Sequence, residues 1–522
     1  MKINYNRGLV KQIEELTEQN ERLQYENKQL RTENRELRAK LSHIESTMEA
    51  RINAAVEKAV RQATETLLAE IAEKNALTAK MSDEIDRLKA QINKDSSNSS
   101  KPPGQDGFKK IPNSREKSER KSGGQKGHPG KSLSLPKDID ELVEKGIVHR
   151  EIVDHTNGKE KYITRYELDM SVKVKLTEYR YPEGQVPKEQ RAPVIYGNDL
   201  KAIVGLLSAE GFIAYERLSD FICEITNGVI KLSEGTIDNF LFDFAEKLDG
   251  ELETIKTNLL NGAVMHVDET PMDVMEKPDY SGEEPIMVIK EQTSQTAYIR
   301  THSNTTSTLY TVNPQKDIEG CERDKILPLY TGIISQDHEA KFYRYGTAHA
   351  TCGAHLLRDL KGLFELQRIL WANEMGKFIS SINTYKNADL ELGKTECNKE
   401  QLAFFENQYD ILIESGQTAL AALKEKEMGH DELRKMLARL TKYKDCYLLF
   451  IRDYRAPFTN NLAERDLRPD KTKQKVSGYF RSWEGFQNFA KIRSFISTLK
   501  KRSLNLFDSF SLVLCGTTVL DR

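Results

Sequence analysis

Between residues 9 and 92 the chain is helix-forming, almost without Gly or Pro, and repeats every seventh residue. Leu16, Leu23, Leu30, Leu37 and Ile44 form one seam, and Ile13, Asn20, Asn27, Asn34, Leu41 and Met48 the other. A heptad of this kind keeps one apolar stripe turned toward a partner helix, so a coiled coil over 9–94 is expected. Three successive seam asparagines prefer to pair across a parallel dimer, which fixes register and strand number at some cost in stability. A long solvated helix packed on its own domain suits so sustained a heptad less well, and a homodimer through this zipper is expected. The pattern weakens from Arg51 to Ala63 and returns in Met81, Ile85, Leu88 and Ile92, as after a stutter.

The net charge of -2 hides strong segregation. Residues 95–137 have little to bury and read as a flexible basic linker. Lys109, Lys110, Arg115, Lys117, Arg120, Lys121, Lys126 and Lys131 face only Glu116 and Glu119. Such a run is either a solubilising tether or an arm that neutralises DNA phosphates without reading sequence. The Gly-rich stretch from Gly123 to Gly130 lacks the Gly-Lys-Ser/Thr ending of a phosphate-binding loop. Cys223, Cys321, Cys352, Cys397, Cys446 and Cys515 lie far apart, which supports neither a disulfide framework nor a zinc ribbon. The N-terminus leads into Lys11 and Gln12 without an apolar signal core, and no apolar run approaches about 18 residues. A cytoplasmic protein with no membrane partner is expected, nucleoid-associated when bound to DNA.

Residues 138–190 alternate apolar and polar side chains, notably over 162–168 and 171–181, and predict a small antiparallel β module. Residues 191–260 return to helical spacing. Ser233 is placed to cap a helix there, in a helix-turn-helix or a generic helical hairpin. Over 261–510 the pattern is that of a mixed sheet with helices on its faces. Strands are expected at 263–267, 286–289, 296–300, 332–335 and 347–352, with an all-helical insertion at about 360–450. A basic tail then carries Arg465, Arg468, Lys471, Lys473, Lys475 and Arg481, with Tyr479, Phe480 and Trp483 interleaved. The fold class is α+β, mixed.

Two apolar runs end in acids: Val264 to Val267 before Asp268 and Glu269, and Gly332 to Gln336 before Asp337. A third acid, Glu464, lies inside a basic helical stretch. Strand ends deliver carboxylates to a common site, and three of them can hold Mg²⁺ or Mn²⁺, hard ions that prefer oxygen. Two such ions clamp both oxygens of an in-line phosphoryl displacement. Taken singly, each acid is more often structural than catalytic, since many strands end in Asp for turn-forming reasons. His349, Cys352 and His355 have zinc-ligand chemistry but no evident fourth ligand, so a zinc hydrolase built on the histidines is a weak third reading.

The chain resembles the transposases of the insertion sequence 66 family over roughly residues 96–510. The resemblance runs through Asn98-Ser99-Ser100-Lys101-Pro102-Pro103, Gly123-Gly124-Gln125-Lys126-Gly127-His128, Val267-Asp268-Glu269-Thr270 and Cys352-Gly353-Ala354-His355. It continues through Asn460-Asn461-Leu462-Ala463-Glu464-Arg465 and residues 478–485 to 497–501. It implies a DDE enzyme with a ribonuclease-H-like catalytic core, cutting element ends and joining them to target DNA. Asp268, Asp337 and Glu464 would then be catalytic and hold two Mg²⁺ or Mn²⁺ ions. Arg465, Arg468, Lys471, Lys473, Lys475, Arg481, Lys109, Lys110 and Lys121 would bind double-stranded DNA, and Glu269, His355, Arg358 and Trp483 would be active-site neighbours. Small accessory proteins of the same element often accompany family members. Two departures stand out. Many members carry a cysteine-rich zinc module after the Gly-Gln-x-Gly-His segment, but no cysteine occurs between Lys131 and Gln190, so no zinc is expected. The second acid lies in Gln336-Asp337-His338-Glu339, where the family more often has Asp-Gly followed by an aromatic, which leaves Glu339 and Glu269 as understudies. The alternative is a catalytically inactive coiled-coil DNA-binding protein acting as repressor or scaffold.

Overall fold

The computed structural model describes residues 2–45, scattered positions between 68 and 98, and 135–521 except 156–160, 162, 183, 283, 290–292 and 426–427. The basic arm with Lys109, Lys110 and Lys121, and the weakened heptad at 51–63, lie outside the described residues. The heptad falls on a single helix, α1 (Lys2–Glu45). Asn20, Leu23, Asn27, Leu30 and Leu37 are half-buried on it, while most positions between them are exposed. Asn27 turns its amide back to the Leu23 carbonyl at 3.1 Å. Further along, Ile71, Lys74, Thr78, Met81, Ile85, Leu88 and Ile92 keep the three-and-four spacing and are buried or half-buried. Lys74 Nζ pairs with Glu26 at 2.9 Å. At that level the zipper helix meets a partner inside its own chain, the arrangement that the heptad alone ranked second.

The described residues of 138–190 hold one short α-helix, α2 (Ile139–Glu144), and a 3-10 turn at Lys188–Gln190, and among them the expected β module has no strand. Ile163, Met170 and Leu176 stand 79, 84 and 93% exposed. Alternation supplies an apolar face but not a surface to cover it. A unit of this size has too small a core to hold a sheet without a staple, and it lacks the cysteines that would bind one.

Four helices follow: α3 (Asn198–Ala209), α4 (Tyr215–Ile225), α5 (Glu234–Glu246) and α6 (Asp249–Leu260). Ser233 caps α5 by accepting the Thr236 N–H at 3.1 Å. These helices are not a separate body. Leu218, Ile237, Phe244 and Ile255 share one core with Met265 and Val267 of the sheet and with Phe495 and Phe510 near the C-terminus.

The sheet has five strands in the order β5-β4-β1-β6-β7. They are β1 (Val264–Val274), β4 (Gln295–Ser303), β5 (Thr308–Asn313), β6 (Ile333–Gln336) and β7 (Ala348–Thr351). A separate ribbon pairs β2 (Glu276–Asp279) with β3 (Ile286–Ile289). β1 runs antiparallel to β4 and parallel to β6, and β6 runs parallel to β7. Helix α7 (Ile318–Asp324) leads from β5 toward β6.

The insertion after β7 is all helical: α8 (Gly353–Gln367), α9 (Leu370–Glu391), α10 (Lys399–Ala422), α11 (His430–Lys442) and α12 (Lys444–Arg452). It has its own core around Trp371, Ile382, Tyr409 and Leu440. The expected basic helix is two helices, α13 (Asn461–Asp466) and α14 (Arg468–Ser477), broken at Leu467. Then α15 (Trp483–Lys501) packs on β5, and α16 (Leu506–Leu514) packs on α3. Among the described residues, no helix is long and apolar enough to cross a membrane.

Candidate metal centre

Parallel strands point toward one edge of a sheet, and here three of them do so side by side. His266 pairs with Ser335, the last β1–β6 pair, so Asp337 lies just past β6. Asp268, level with it, stays inside β1 and is paired with Thr301 of β4 rather than ending the strand as the sequence suggested. Gln336 pairs with Thr351, and the next residue of that strand, Cys352, opens α8. His355 lies in the first turn of that helix.

Glu464 returns to this edge after the whole helical insertion, and two contacts explain how. The insertion's ends are pinned together, because the Gly353 N–H donates to the Phe458 carbonyl at 2.8 Å. A Cβ on Gly353 would lie 2.3 Å from the Phe458 ring, so only glycine allows this approach. Helix α13 is then fixed at both ends. Asn460, fully buried, donates from Nδ2 to the Val267 carbonyl at 3.0 Å, and its Oδ1 meets His266 Nδ1 at 3.1 Å. At the other end Asp466 accepts from Ser303 Oγ at 2.6 Å, Thr308 Oγ1 at 2.9 Å and Lys501 Nζ at 2.7 Å. Burial holds the His266 ring at about 4, so it is neutral at physiological pH and its Nδ1 can donate to Asn460.

The result is a cluster. Donor atoms of Asp337, Cys352, His355 and Glu464 all lie within 4.8 Å of one another. His355 Nδ1 stands 3.5 Å from Asp337 Oδ2 and 3.7 Å from Glu464 Oε1. Those contacts bring the charges together without the alignment of hydrogen bonds, and His355 Nδ1 and Asp337 Oδ1 are buried with no partner. The Asp337 carboxylate and Cys352 raise His355 to about 10. Asp268 accepts the Glu269 N–H at 2.7 Å. Burial, then the charges of Asp337 and Glu464, raise it to about 7. A pocket that crowds carboxylates until one holds its proton is short of a cation, and a divalent ion fits that need.

His338, directly after the second acid, has φ +69°. That left-handed region favours glycine, so a histidine adopts it only when its neighbours hold it. The histidine is held there by the Tyr343 hydroxyl, 2.8 Å from Nδ1, and by an edge contact with Tyr443.

Several expected neighbours sit elsewhere. Glu269, one residue after Asp268, is engaged by Arg300 at 2.6 Å and Lys341 at 2.8 Å, and Arg300 also pairs with Asp324. Its side chain is 2% exposed and satisfied, so it is no understudy. Glu339 pairs with Lys316 at 2.6 Å. Trp483 is not available for stacking: it is 7% exposed against Phe486, at the start of α15. His349 lies outside the cluster, beside Gln336 and Tyr343. Arg358 is half-buried one turn beyond His355. Arg465, Arg468, Lys471, Lys475 and Arg481 are exposed, and Tyr479 is 45% exposed. Lys473 is half-buried, and burial lowers its pKa. Lys471 is near enough for its charge to offset part of the rise at Asp268. Asn460 enters the sequence reading only as part of a motif; its positioning role comes from the buried contacts to Val267 and His266, and its side chain caps nothing.

A family of unknown function matches residues 49–134. No curated protein and no solved structure matches the chain. The model of the Transposase IS66 family matches residues 193–488, more than half the sequence and the whole of the site just described. The chain belongs to the IS66 transposase family.

Proposed function

We propose that the protein is a DDE transposase that cuts the ends of its element and joins the freed 3′-hydroxyl to target DNA. The observation that carries this reading is the meeting of Asp337 and Glu464, whose donor atoms lie within 4.8 Å, close enough to Asp268 that their charges add to the rise that its burial causes. The sheet order, with one long antiparallel pair beside three parallel strands, suits a ribonuclease-H-like core. Two Mg²⁺ or Mn²⁺ ions, when bound, would activate the attacking oxygen and stabilise the leaving one. Asp268, Asp337 and Glu464 would hold these ions through their carboxylates. Asn460 and Asp466 keep Glu464 in place by fixing its helix at both ends.

Arg465, Arg468, Lys471, Lys475 and Arg481 bind double-stranded DNA through its phosphates, and so does the basic arm with Lys109, Lys110 and Lys121. Lys473, being half-buried, contributes less. Tyr479 is exposed for stacking on an unpaired base. Residues 9–94 act as the dimerising coiled coil, 95–137 as the linker to the catalytic unit, and small accessory proteins of the element complete the assembly. Such a protein works in the cytoplasm, on the nucleoid. The test is Asp268→Asn with element-end DNA. Mg²⁺-dependent cleavage disappears while binding in a gel-shift assay stays within a few fold, and wild-type cleavage by the variant would end the assignment.

A further inference from the structure

We infer that Cys352 and His355 are themselves metal ligands, so that one of the two cation positions is a four-donor site of Asp337, Cys352, His355 and Glu464. It would prefer a borderline divalent ion such as Zn²⁺ or Co²⁺ to Mg²⁺. This rests on the reading of Asp337 and Glu464 as metal carboxylates and goes beyond it in ligand set and ion.

The geometry is that of donors sharing an ion. Ligands about 2.0–2.1 Å from a tetrahedral centre lie roughly 3.3 Å from one another. His355 Nδ1 is 3.5 Å from Asp337 Oδ2 and 3.7 Å from Glu464 Oε1. Neither separation is a working hydrogen bond, and His355 Nδ1 and Asp337 Oδ1 have no partner although water does not reach them. A buried donor or acceptor left in that state costs free energy, which a shared ion recovers. The sulfur is positioned as well. Cys352 is 1% exposed at the N-cap of α8, and the Asn460 N–H points at Sγ from 3.3 Å. Outer donors of that kind orient and tune metal thiolates. One nitrogen, one sulfur and two carboxylates make a donor set for four-coordinate borderline ions, whereas Mg²⁺ seeks six oxygens. Asp268 is not part of this set.

The probe is Co²⁺ added to the full-length, metal-free protein. Binding gives visible bands of a four-coordinate ion and a near-ultraviolet thiolate-to-cobalt band. Cys352→Ser loses the near-ultraviolet band, and tenfold excess Mg²⁺ does not abolish it in the wild type. A band that never appears, or that survives Cys352→Ser because another cysteine supplies it, overturns the proposal. X-ray absorption of the zinc-loaded wild type needs no variant: a sulfur shell at about 2.3 Å supports it, and nitrogen and oxygen alone at about 2.0–2.1 Å refute it. Mg²⁺-dependent cleavage without a sulfur ligand would leave the transposase reading standing and sink only this one. Wild-type cleavage by Asp268→Asn would do the reverse.

Discussion

Asp268 and Glu269 are neighbours in one strand, yet the pleat sends them to opposite faces, and the two faces settle their charge differently. Behind the sheet, Glu269 and Asp324 meet Arg300 and Lys341, two carboxylates against two built-in cations. On the other face, Asp268, Asp337 and Glu464 are crowded together with His355 as the nearest basic group and Lys471 acting from further away. The first cluster is complete as folded and so belongs to the scaffold. The second is complete only with cations from outside, and that deficit is what separates a site from a brace.

The sharpest way to break this contrast is to neutralise each acid in turn in the metal-free protein. Glu269→Gln leaves Lys341 buried without its carboxylate, and loss of one partner from a buried pair costs about 3–5 kcal/mol. Asp268→Asn removes a repelled charge and raises the unfolding midpoint instead. Denaturant unfolding of both variants checks the sign. Equal destabilisation by the two would show that the faces do not differ.

A smaller effect follows from pH. Asp268 is raised to about 7, so the folded, metal-free protein holds this proton more tightly than the unfolded chain. Stability from that group is therefore lost as pH rises from about 4 to about 7. His355, raised to about 10, acts with the same sign in a higher window, its contribution being full below about 6.5 and lost toward 10. Asp268→Asn should shrink the lower window to the part that Asp470, also raised to about 7, contributes, and leave the upper. Excess Mg²⁺ should restore stability at pH 8 and weaken as a ligand below about 7, where it must displace the Asp268 proton. Thermal scans over pH, with and without Mg²⁺, read this directly; a midpoint indifferent to Mg²⁺ at pH 8 would contradict the cation deficit.

What the sequence discloses about this site depends on how locally each residue is determined. Asp268 and Asp337 were visible because an apolar run followed by an acid is a local pattern. Glu464 showed locally only as an acid inside a basic helical stretch, and the ordered set of motifs had to join it to the other two, since its place depends on Phe458 meeting Gly353 across the insertion. Strand β5 escaped notice because its buried positions include Thr308 and Asn313, whose partners are Asp466 and Asp324 from distant parts of the chain. The opposite error fell on 138–190, where period-two alternation was present but nothing covered it. Trp483 misled for a related reason. An aromatic among charges suggests stacking, but burial is set by the strand ribbon and helix that close over it, and its backbone N–H reaches Glu276 on β2 at 3.1 Å. Lys341 and Arg300 carried no signal as partners of Glu269, because ion pairs across a sheet leave no spacing to read.

The smallest predicted effect asks whether an unpartnered carboxylate is costly away from the metal edge too. Asp470, in the first turn of α14, is completely buried and neither of its oxygens has a hydrogen-bond partner. Burial raises it to about 7, against the pull of the nearby Arg493 and with a further push from Asp466. The folded state again holds the proton more tightly, so this residue costs stability progressively as pH climbs from about 4 to about 7. Asp470→Asn keeps the shape and removes the charge, while Arg493 keeps Glu210 at 2.6 Å. The gain at pH 8 should be about 1–2 kcal/mol, less than a lone buried charge would cost because Arg493 already offsets part of it. At roughly 2–4 °C per kcal/mol that is a rise of a few degrees, shrinking to nothing near pH 4 and unchanged by Mg²⁺. A rise that vanished on adding Mg²⁺ would place Asp470 within the electrostatic reach of the metal centre and blur the line between brace and site.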